Sequence, residues 1–235
     1  MYFGYLFIDD NSNGFNQLKK SIEVLKSIEA NPQIIIFNNQ KSGRIVDYCK
    51  SENITHKLIS LSRNYISDNN LLNILVEKII SLRDFDENED IVLLDIDTTF
   101  IKTVPENTWN EYQAVLWNAE YYIMEWRNLI NVLPLVPWEE IEINFNDSYV
   151  MYNTGTIYIP KKNRKRLCEK TLWIVDYLNS GIHKPKNRAG NKLDEQIAIS
   201  IVLHNEYGQF GNIKYAQDFI YHYWAENQKG IKWWE

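Results

Sequence analysis

The chain has 235 residues, 45% of them apolar and 14% aromatic, which is enough for a sizeable core and excludes a disordered chain. Its formal net charge of -6 argues against a nucleic-acid binder, whose phosphate contacts need a basic surface. Only Cys49 and Cys168 are present, far apart and without metal-ligand spacing; this excludes a disulfide framework or a cysteine zinc site and fits a reducing, cytoplasmic setting. In chain order, Met1 to Ile8 is apolar but lacks the basic flank and cleavage site of a leader. It is also too short to span a membrane, so residues 2–8 read as a buried strand. Asp9 to Gly14 is the loop opening a helix with apolar positions at Leu18, Ile22, Leu25 and Ile28, ended by Asn31 and Pro32. Residues 33–37 read as a β-branched strand, 42–51 as a helix, 57–61 as a short strand and 68–82 as a helix capped by Asp68. The acidic loop 84–90 then leads into the strand Ile91-Val92-Leu93-Leu94. Strands alternating with helices predict an α/β fold with a mostly parallel sheet and right-handed crossovers. The ligand crevice of such a sheet lies beyond the carboxyl ends of its strands, where Asp9, Asn38 and Asp95 all fall.

Asp95-Ile96-Asp97 closes that last strand and is the most informative feature of the chain. In an extended strand, side chains two apart share a face, so both carboxylates would aim at one point. Two carboxylates that close stay charged only beside a cation, and hard divalent ions accept oxygen ligands while leaving positions open for phosphates. The plain alternative is a solvated acidic turn. Ile91, Val92, Leu93, Leu94 and Ile96 around the acids weigh against it, since buried strands seldom end in unpaired charge.

After Thr103 the rhythm changes. Residues 112–117 read as a strand, 119–130 as a Trp- and Tyr-rich helix, and 133–137 as an irregular turn. Residues 148–159 alternate as a strand containing Asn153-Thr154-Gly155, followed by helices near 163–179 and 193–206 and a last strand at 213–216. Trp109, Trp117, Trp126 and Trp138 read as core, although an aromatic platform for acceptor sugars would use the same residue type. The basic run from Lys161 to Arg166 reads as a solvated helix start, with room for peripheral contact to an anionic membrane. No repeat or flexible linker divides the chain.

Together, Val92-Leu93-Leu94-Asp95-Ile96-Asp97, Tyr152-Asn153-Thr154-Gly155, Asp194-Glu195-Gln196 and a terminal His222 with Lys229 resemble the nucleotide-diphospho-sugar glycosyltransferases of the GT-A fold. They are most similar to the glycogenin-like group, family 8, and to small bacterial or viral GT-A enzymes. The resemblance implies a single GT-A domain over 1–235 with a Rossmann-like central sheet flanked by helices. Residues 1–103 would form the nucleotide-sugar-binding half, and 104–235 the acceptor-binding half with the C-terminal tail. It implies that Asp95, Asp97 and His222 bind Mn²⁺ or Mg²⁺, with the imidazole favouring Mn²⁺. It further implies that Lys78 on the preceding helix faces the donor, that Lys229 binds the diphosphate, and that Asn153, Asp194, Glu195 and Gln196 line the sugar and catalytic pocket. Asp9, Asn38 and Arg63 would surround the base of a UDP-sugar. The tail departs from the family's H-x-x-G-x-x-K-P-W pattern: the His-to-Lys spacing is longer and Lys232-Trp233 stands where Lys-Pro-Trp would, so Lys232 competes with Lys229 for the diphosphate.

The activity implied is metal-dependent transfer of a sugar to a hydroxyl of a glycan or glycoconjugate, with retention. An inverting reaction would need Asp194 or Glu195 as base. Each motif has a plain counterpart: His222 among Tyr221, Tyr223 and Trp224 as a packed aromatic neighbour, Lys78 as a solvated helix charge, and Asp194 and Glu195 as helix-capping anions. Three other functions compete. Asp95-Ile96-Asp97-Thr98-Thr99 also matches the D-x-D-x-T motif of haloacid-dehalogenase-type phosphatases, in which the first Asp attacks phosphorus. That motif normally ends a first strand, and here several βα units precede it. The remaining alternatives are a non-catalytic sugar-binding or scaffold domain, and a nucleotidyltransferase, against which no Gly-rich phosphate loop with Lys stands near the first strand.

Overall fold

In the computed structural model, the described residues are 1–8, 11–63, 71–105, 107–122, 132–146, 148–180, 194–208 and 212–235. The chain begins with β1 (Tyr2–Leu6), α1 (Ser12–Ile28), β2 (Gln33–Asn38), α2 (Arg44–Ser51), β3 (Thr55–Leu58), α3 (Leu71–Arg83) and β4 (Ile91–Leu94). It continues through β5 (Thr98–Phe100), α4 (Thr108–Glu111), β6 (Ala114–Tyr122), β7 (Val150–Tyr158), α5 (Lys161–Asn179) and α6 (Asp194–Tyr207). It closes with β8 (Ile213–Tyr215), β9 (Ile220–His222) and α7 (Trp224–Gln228). One seven-stranded sheet runs β3-β2-β1-β4-β7-β6-β8, and β5 pairs with β9 in a separate ribbon. The pairs β1–β2, β1–β4, β2–β3 and β6–β8 are parallel, while β7 is antiparallel to both β4 and β6. The mostly parallel sheet expected from the alternating elements is therefore present, and it continues across residue 103.

The apolar strand runs are explained by burial on both faces. Ile35, Phe37, Ile91 and Leu93 enter the core under α3, α5 and α6, whereas Ile34, Ile36, Val92 and Leu94 enter the one under α1 and α2. The start of α1 is capped by Asn11, whose Oδ1 accepts from the Gly14 amide at 2.7 Å. The basic run opens α5, but it is not all wet surface. Arg164 is buried and donates to the carbonyls of Glu89, Phe85 and Asp86, fastening the acidic loop 84–90, while Lys161 and Arg166 pair with Asp90 and Glu206.

Some expectations need correction. The strand placed at 57–61 lies at Thr55–Leu58, because pairing with Ile35–Asn38 sets its register and an edge position tolerates His56 and Lys57. Residues 119–122, expected to start a helix, extend β6 and pair with β7, since tyrosine-rich sequence suits a strand once a partner is available. The rest of that expected helix, with Trp126, lies outside the described residues, as does Asp68 at the start of α3. Trp109 and Trp138 are buried as core, and Trp117 is partly buried. The short strands β5 and β9 carry no periodicity by which sequence could find them.

Candidate metal and donor site

Asp95 and Asp97 follow β4, but they do not converge as alternate residues of an extended strand. They occupy a turn. The Thr98 amide and hydroxyl both donate to the Asp95 carbonyl, at 3.2 and 2.7 Å, and this closes residues 95–98 and turns the chain into β5. The Asp95 amide donates to the Gly155 carbonyl at 2.9 Å, tying the turn to β7. On β9, His222 is registered opposite Thr98, so an antiparallel ribbon brings a residue from the far end of the chain onto the acidic turn. The ligand atoms of Asp95, Asp97 and His222 lie within 4.8 Å of one another, so the three form a group able to hold a divalent metal.

The imidazole points its Nε2 at the acids, 3.2 Å from Asp97 Oδ1 and 3.8 Å from Asp95 Oδ2. Gly155 forms its seat on one side, and Trp117 lies edge-on with ring centroids 5.2 Å apart. Trp117 is itself held by its indole N–H, which donates to the Ile220 carbonyl at 3.1 Å. The glycine of the Asn-Thr-Gly strand thus has a local steric role beneath the His222 ring. Burial works against charge on His222, but its hydrogen bond to Asp97 and the fields of Asp97 and Asp95 outweigh it and raise its pKa. Burial likewise works against charge on Asp97, and His222 together with the Asn227 amide outweighs it and lowers the pKa.

Lys78 is buried, and its ammonium donates to Asp95 Oδ1 at 2.7 Å and to the Thr154 carbonyl at 3.1 Å. Burial opposes its charge, yet Asp95, Glu195 and Asp97 together hold its pKa above the ordinary lysine value. This side chain is therefore no solvated helix charge. Glu195 is also fully buried, and burial pushes its pKa up to about 7 despite the pull of Lys78. Its Oε2 accepts from the Thr154 hydroxyl at 3.4 Å, and its Oε1 has no hydrogen-bond partner among the described residues.

Asn153 and Gln196 meet through a residue that sequence reasoning missed. The carboxylate of Glu120 on β6 accepts from Asn153 Nδ2 at 2.6 Å and from Gln196 Nε2 at 3.0 Å. Asn153 Oδ1 in turn accepts from the Gly155 amide, and Gln196 Oε1 from the Thr154 amide. Both amides are thereby oriented by chemistry, because a carboxylate can only accept. Asp194 is buried and accepts from Asn179 Nδ2 at 3.0 Å.

Other expected residues make contacts of their own. Asn38 is buried at the end of β2, donating to the Phe7 carbonyl and accepting from the Gln40 amide at 2.7 Å. Arg63 forms a two-toothed pair with Asp176 on α5, at 2.9 and 3.0 Å. Lys229 is exposed where α7 ends, and Lys232 pairs with Glu235 at 2.7 Å. Asp9 lies outside the described residues. Asn227, which touches Asp97 at 2.7 Å, was missed as well. The only available signal was its place in the tail a few residues after His222.

No protein-family model matches this chain, and no curated protein matches it in sequence. Solved structures match it in shape. Against the galactosyltransferase LgtC in complex with donor and acceptor sugar analogues, the TM-score is 0.51 at 12% identity, over 92% of this chain and 73% of that one. An active-site glutamine-to-glutamate variant of LgtC gives 0.51 at 11% identity, over 92% and 72% of the two chains. The bifunctional glycosyltransferase WbbM gives 0.50 at 12% identity, and this chain spans 92% of its own length but only 38% of WbbM's. These likenesses show the GT-A fold, with its mostly parallel central sheet flanked by helices. Among the described residues no helix is long and apolar enough to cross a membrane.

Proposed function

We propose that this chain is a metal-dependent glycosyltransferase that moves a sugar from a nucleotide-diphospho-sugar, of the UDP type, to a hydroxyl of a glycan or glycoconjugate, with retention. The observation that carries this reading is the meeting of Asp95, Asp97 and His222 at the carboxyl end of β4, within a sheet whose solved neighbours are glycosyltransferases. The donor set fits the ion: two hard carboxylates and one imidazole suit Mn²⁺ better than Mg²⁺. LgtC is seen with donor and acceptor sugar analogues, which agrees in kind with a two-substrate site.

A bound divalent ion supplies Lewis-acid neutralisation of the charge that develops on the departing diphosphate. The chain's own residues do the rest. Asp95, Asp97 and His222 would hold the ion, and Lys78 offers a charged ammonium at the same edge, kept protonated by three nearby carboxylates. Asn153 and Gln196, fixed by Glu120, each have an amide hydrogen beyond the one given to that carboxylate, suited to sugar hydroxyls. Glu195 lies beneath Thr154, fully buried. We therefore assign it the task of keeping Lys78 charged, and leave the acceptor proton to an oxygen of the departing phosphate. Lys229 and Lys232, on the tail behind His222, are the candidates to meet the diphosphate.

The test combines calorimetry with product analysis. UDP should bind in Mn²⁺ and lose its affinity in EDTA, since the diphosphate would otherwise face two carboxylates. A panel of UDP-sugars should release UDP slowly in Mn²⁺, while phosphomonoesters release no phosphate. Rapid phosphate release would support the phosphatase, UDP-sugar binding without turnover with any acceptor would support a binding domain, and equal UDP affinity in EDTA would remove the metal reading.

A further inference from the structure

We infer that Asn227 is a positioning residue for the metal-binding carboxylate of Asp97, and that Trp233 in turn sets the amide of Asn227. The inference rests on the reading of Asp95, Asp97 and His222 as a divalent-metal site.

The Asn227 amide is used at both ends. Its Nδ2 donates to Asp97 Oδ2 at 2.7 Å. Its Oδ1 accepts from Gln17 Nε2 on α1 and from Trp233 Nε1, each at 3.1 Å. An indole N–H can only donate, so the carbonyl end must face Trp233 and the NH₂ end must face Asp97. The amide cannot flip without facing a donor with a donor and a carboxylate with an oxygen.

This divides the work of the Asp97 carboxylate. Oδ2 is anchored by a neutral donor, and Oδ1 is left 3.2 Å from His222 Nε2, on the side where the three ligand groups meet. Asp95 is held differently, by the cationic Lys78. A neutral anchor fixes the geometry without spending the negative charge that a cation needs, whereas an ammonium competes with it. The tail also grips the backbone of the same residue: the Tyr223 amide donates to the Asp97 carbonyl at 2.8 Å. The Tyr223 ring stacks on Trp233 with centroids 4.1 Å apart and planes 6° from parallel, so the residue that orients Asn227 is fixed by the residue that fixes the Asp97 backbone. Partners outside the ligand set that orient a ligand typically change metal affinity by about 10–100-fold when removed.

The plain alternative is that the Asn227–Asp97 bond only docks the tail onto the fold. It predicts a lower melting temperature with metal affinity unmoved. The test measures Mn²⁺ dissociation constants of the full chain, without donor, from the electron paramagnetic resonance signal of free Mn²⁺. Asn227→Ala should weaken Mn²⁺ roughly tenfold to a hundredfold. Trp233→Phe, which keeps the ring on Tyr223 and removes only the N–H, should weaken it by a smaller factor, as should Gln17→Ala. Wild-type affinity in Asn227→Ala overturns the inference. Should Asn227→Ala fail to fold by circular dichroism, Trp233→Phe and Gln17→Ala decide, and unchanged affinity in both overturns it. Wild-type protein that binds no Mn²⁺ would instead bring down the metal reading, and this inference with it.

Discussion

The imidazole of His222 rests on the bare Cα of Gly155: a Cβ built there would stand 2.5 Å from Nδ1 and 2.7 Å from Cε1. No side chain fits at that separation, so β7 can seat this imidazole only with glycine at this position. Gly155→Ala should push the ring away from Asp97 and weaken Mn²⁺ binding at least about tenfold, the scale for losing the orientation of a ligand. The steric origin can be checked by a double-mutant cycle, since the stability cost of Gly155→Ala should largely vanish in a His222→Ala background. An equal cost in both backgrounds would place the strain elsewhere.

Metal affinity should rise with pH. The raised pKa of His222 means that a proton must leave Nε2 before it can bind an ion, so binding releases a proton until the solution pH exceeds that raised value. Calorimetry in buffers of different ionisation enthalpy counts the proton, and His222→Gln should flatten the dependence. Without metal the signs differ. The His222 contribution to stability is complete below its ordinary value of 6.5 and is lost as pH climbs through the raised one. The Asp97 contribution is present above its ordinary 3.8 and is lost as pH falls through the depressed one. The melting-temperature gap between wild type and His222→Gln should therefore be widest between those two ordinary values and narrow at both extremes.

Glu195 should cost stability in alkali. Its pKa of about 7, raised from 4.5 by burial, means that the folded protein holds the proton more tightly than the unfolded chain does. Stability therefore falls as pH climbs from the lower value to the higher. Glu195→Gln removes that charge, and metal-free protein carrying it should melt higher than wild type at about pH 8 but not at about pH 4. The upper limit is about 3 kcal/mol, the size of a shift of this order. A difference that does not change with pH would mean that the carboxyl is not titrating in this range.

Removing Lys78 should leave Asp95 without its closest cation. Lys78→Met keeps most of the bulk and deletes the charge; because Asp95 is a quarter exposed, the cost stays below that of breaking a fully buried pair, about 3–5 kcal/mol. Mn²⁺ should restore part of it, because a divalent ion at Asp95 and Asp97 replaces the missing positive charge. Thermal melts with and without Mn²⁺ check this: the metal should raise the melting temperature of Lys78→Met more than that of wild type. Equal increments would show that Lys78 and the ion do not share a role.

Much of the architecture was legible from local pattern. The apolar runs at residues 2–8, 33–37 and 91–94, the periodicity through Leu18, Ile22 and Leu25, and the alternation from 148 to 159 all mark elements now seen in the structure. Local burial demands enforce these patterns residue by residue, so they survive in the chain as periodicity. The acidic pair was also visible, but for a reason that does not hold: Asp95 and Asp97 converge through a turn closed by Thr98, and the strand ends before them.

What tertiary structure alone decided is how the distant pieces meet. His222 reaches Asp97 because two three-residue strands pair, and strands that short leave no repeat in sequence. Glu120 joins Asn153 to Gln196, Gly155 seats His222, and Asn227 connects Asp97 to Trp233 and Gln17. Each contact links residues whose sequence separation is set by the path of the fold, and a hydrogen bond or a steric fit imposes no periodicity on the chain between its ends. Residue types told which chemistry the chain could perform. Packing of the sheet, the ribbon and the tail decided which of those residues stand close enough to perform it.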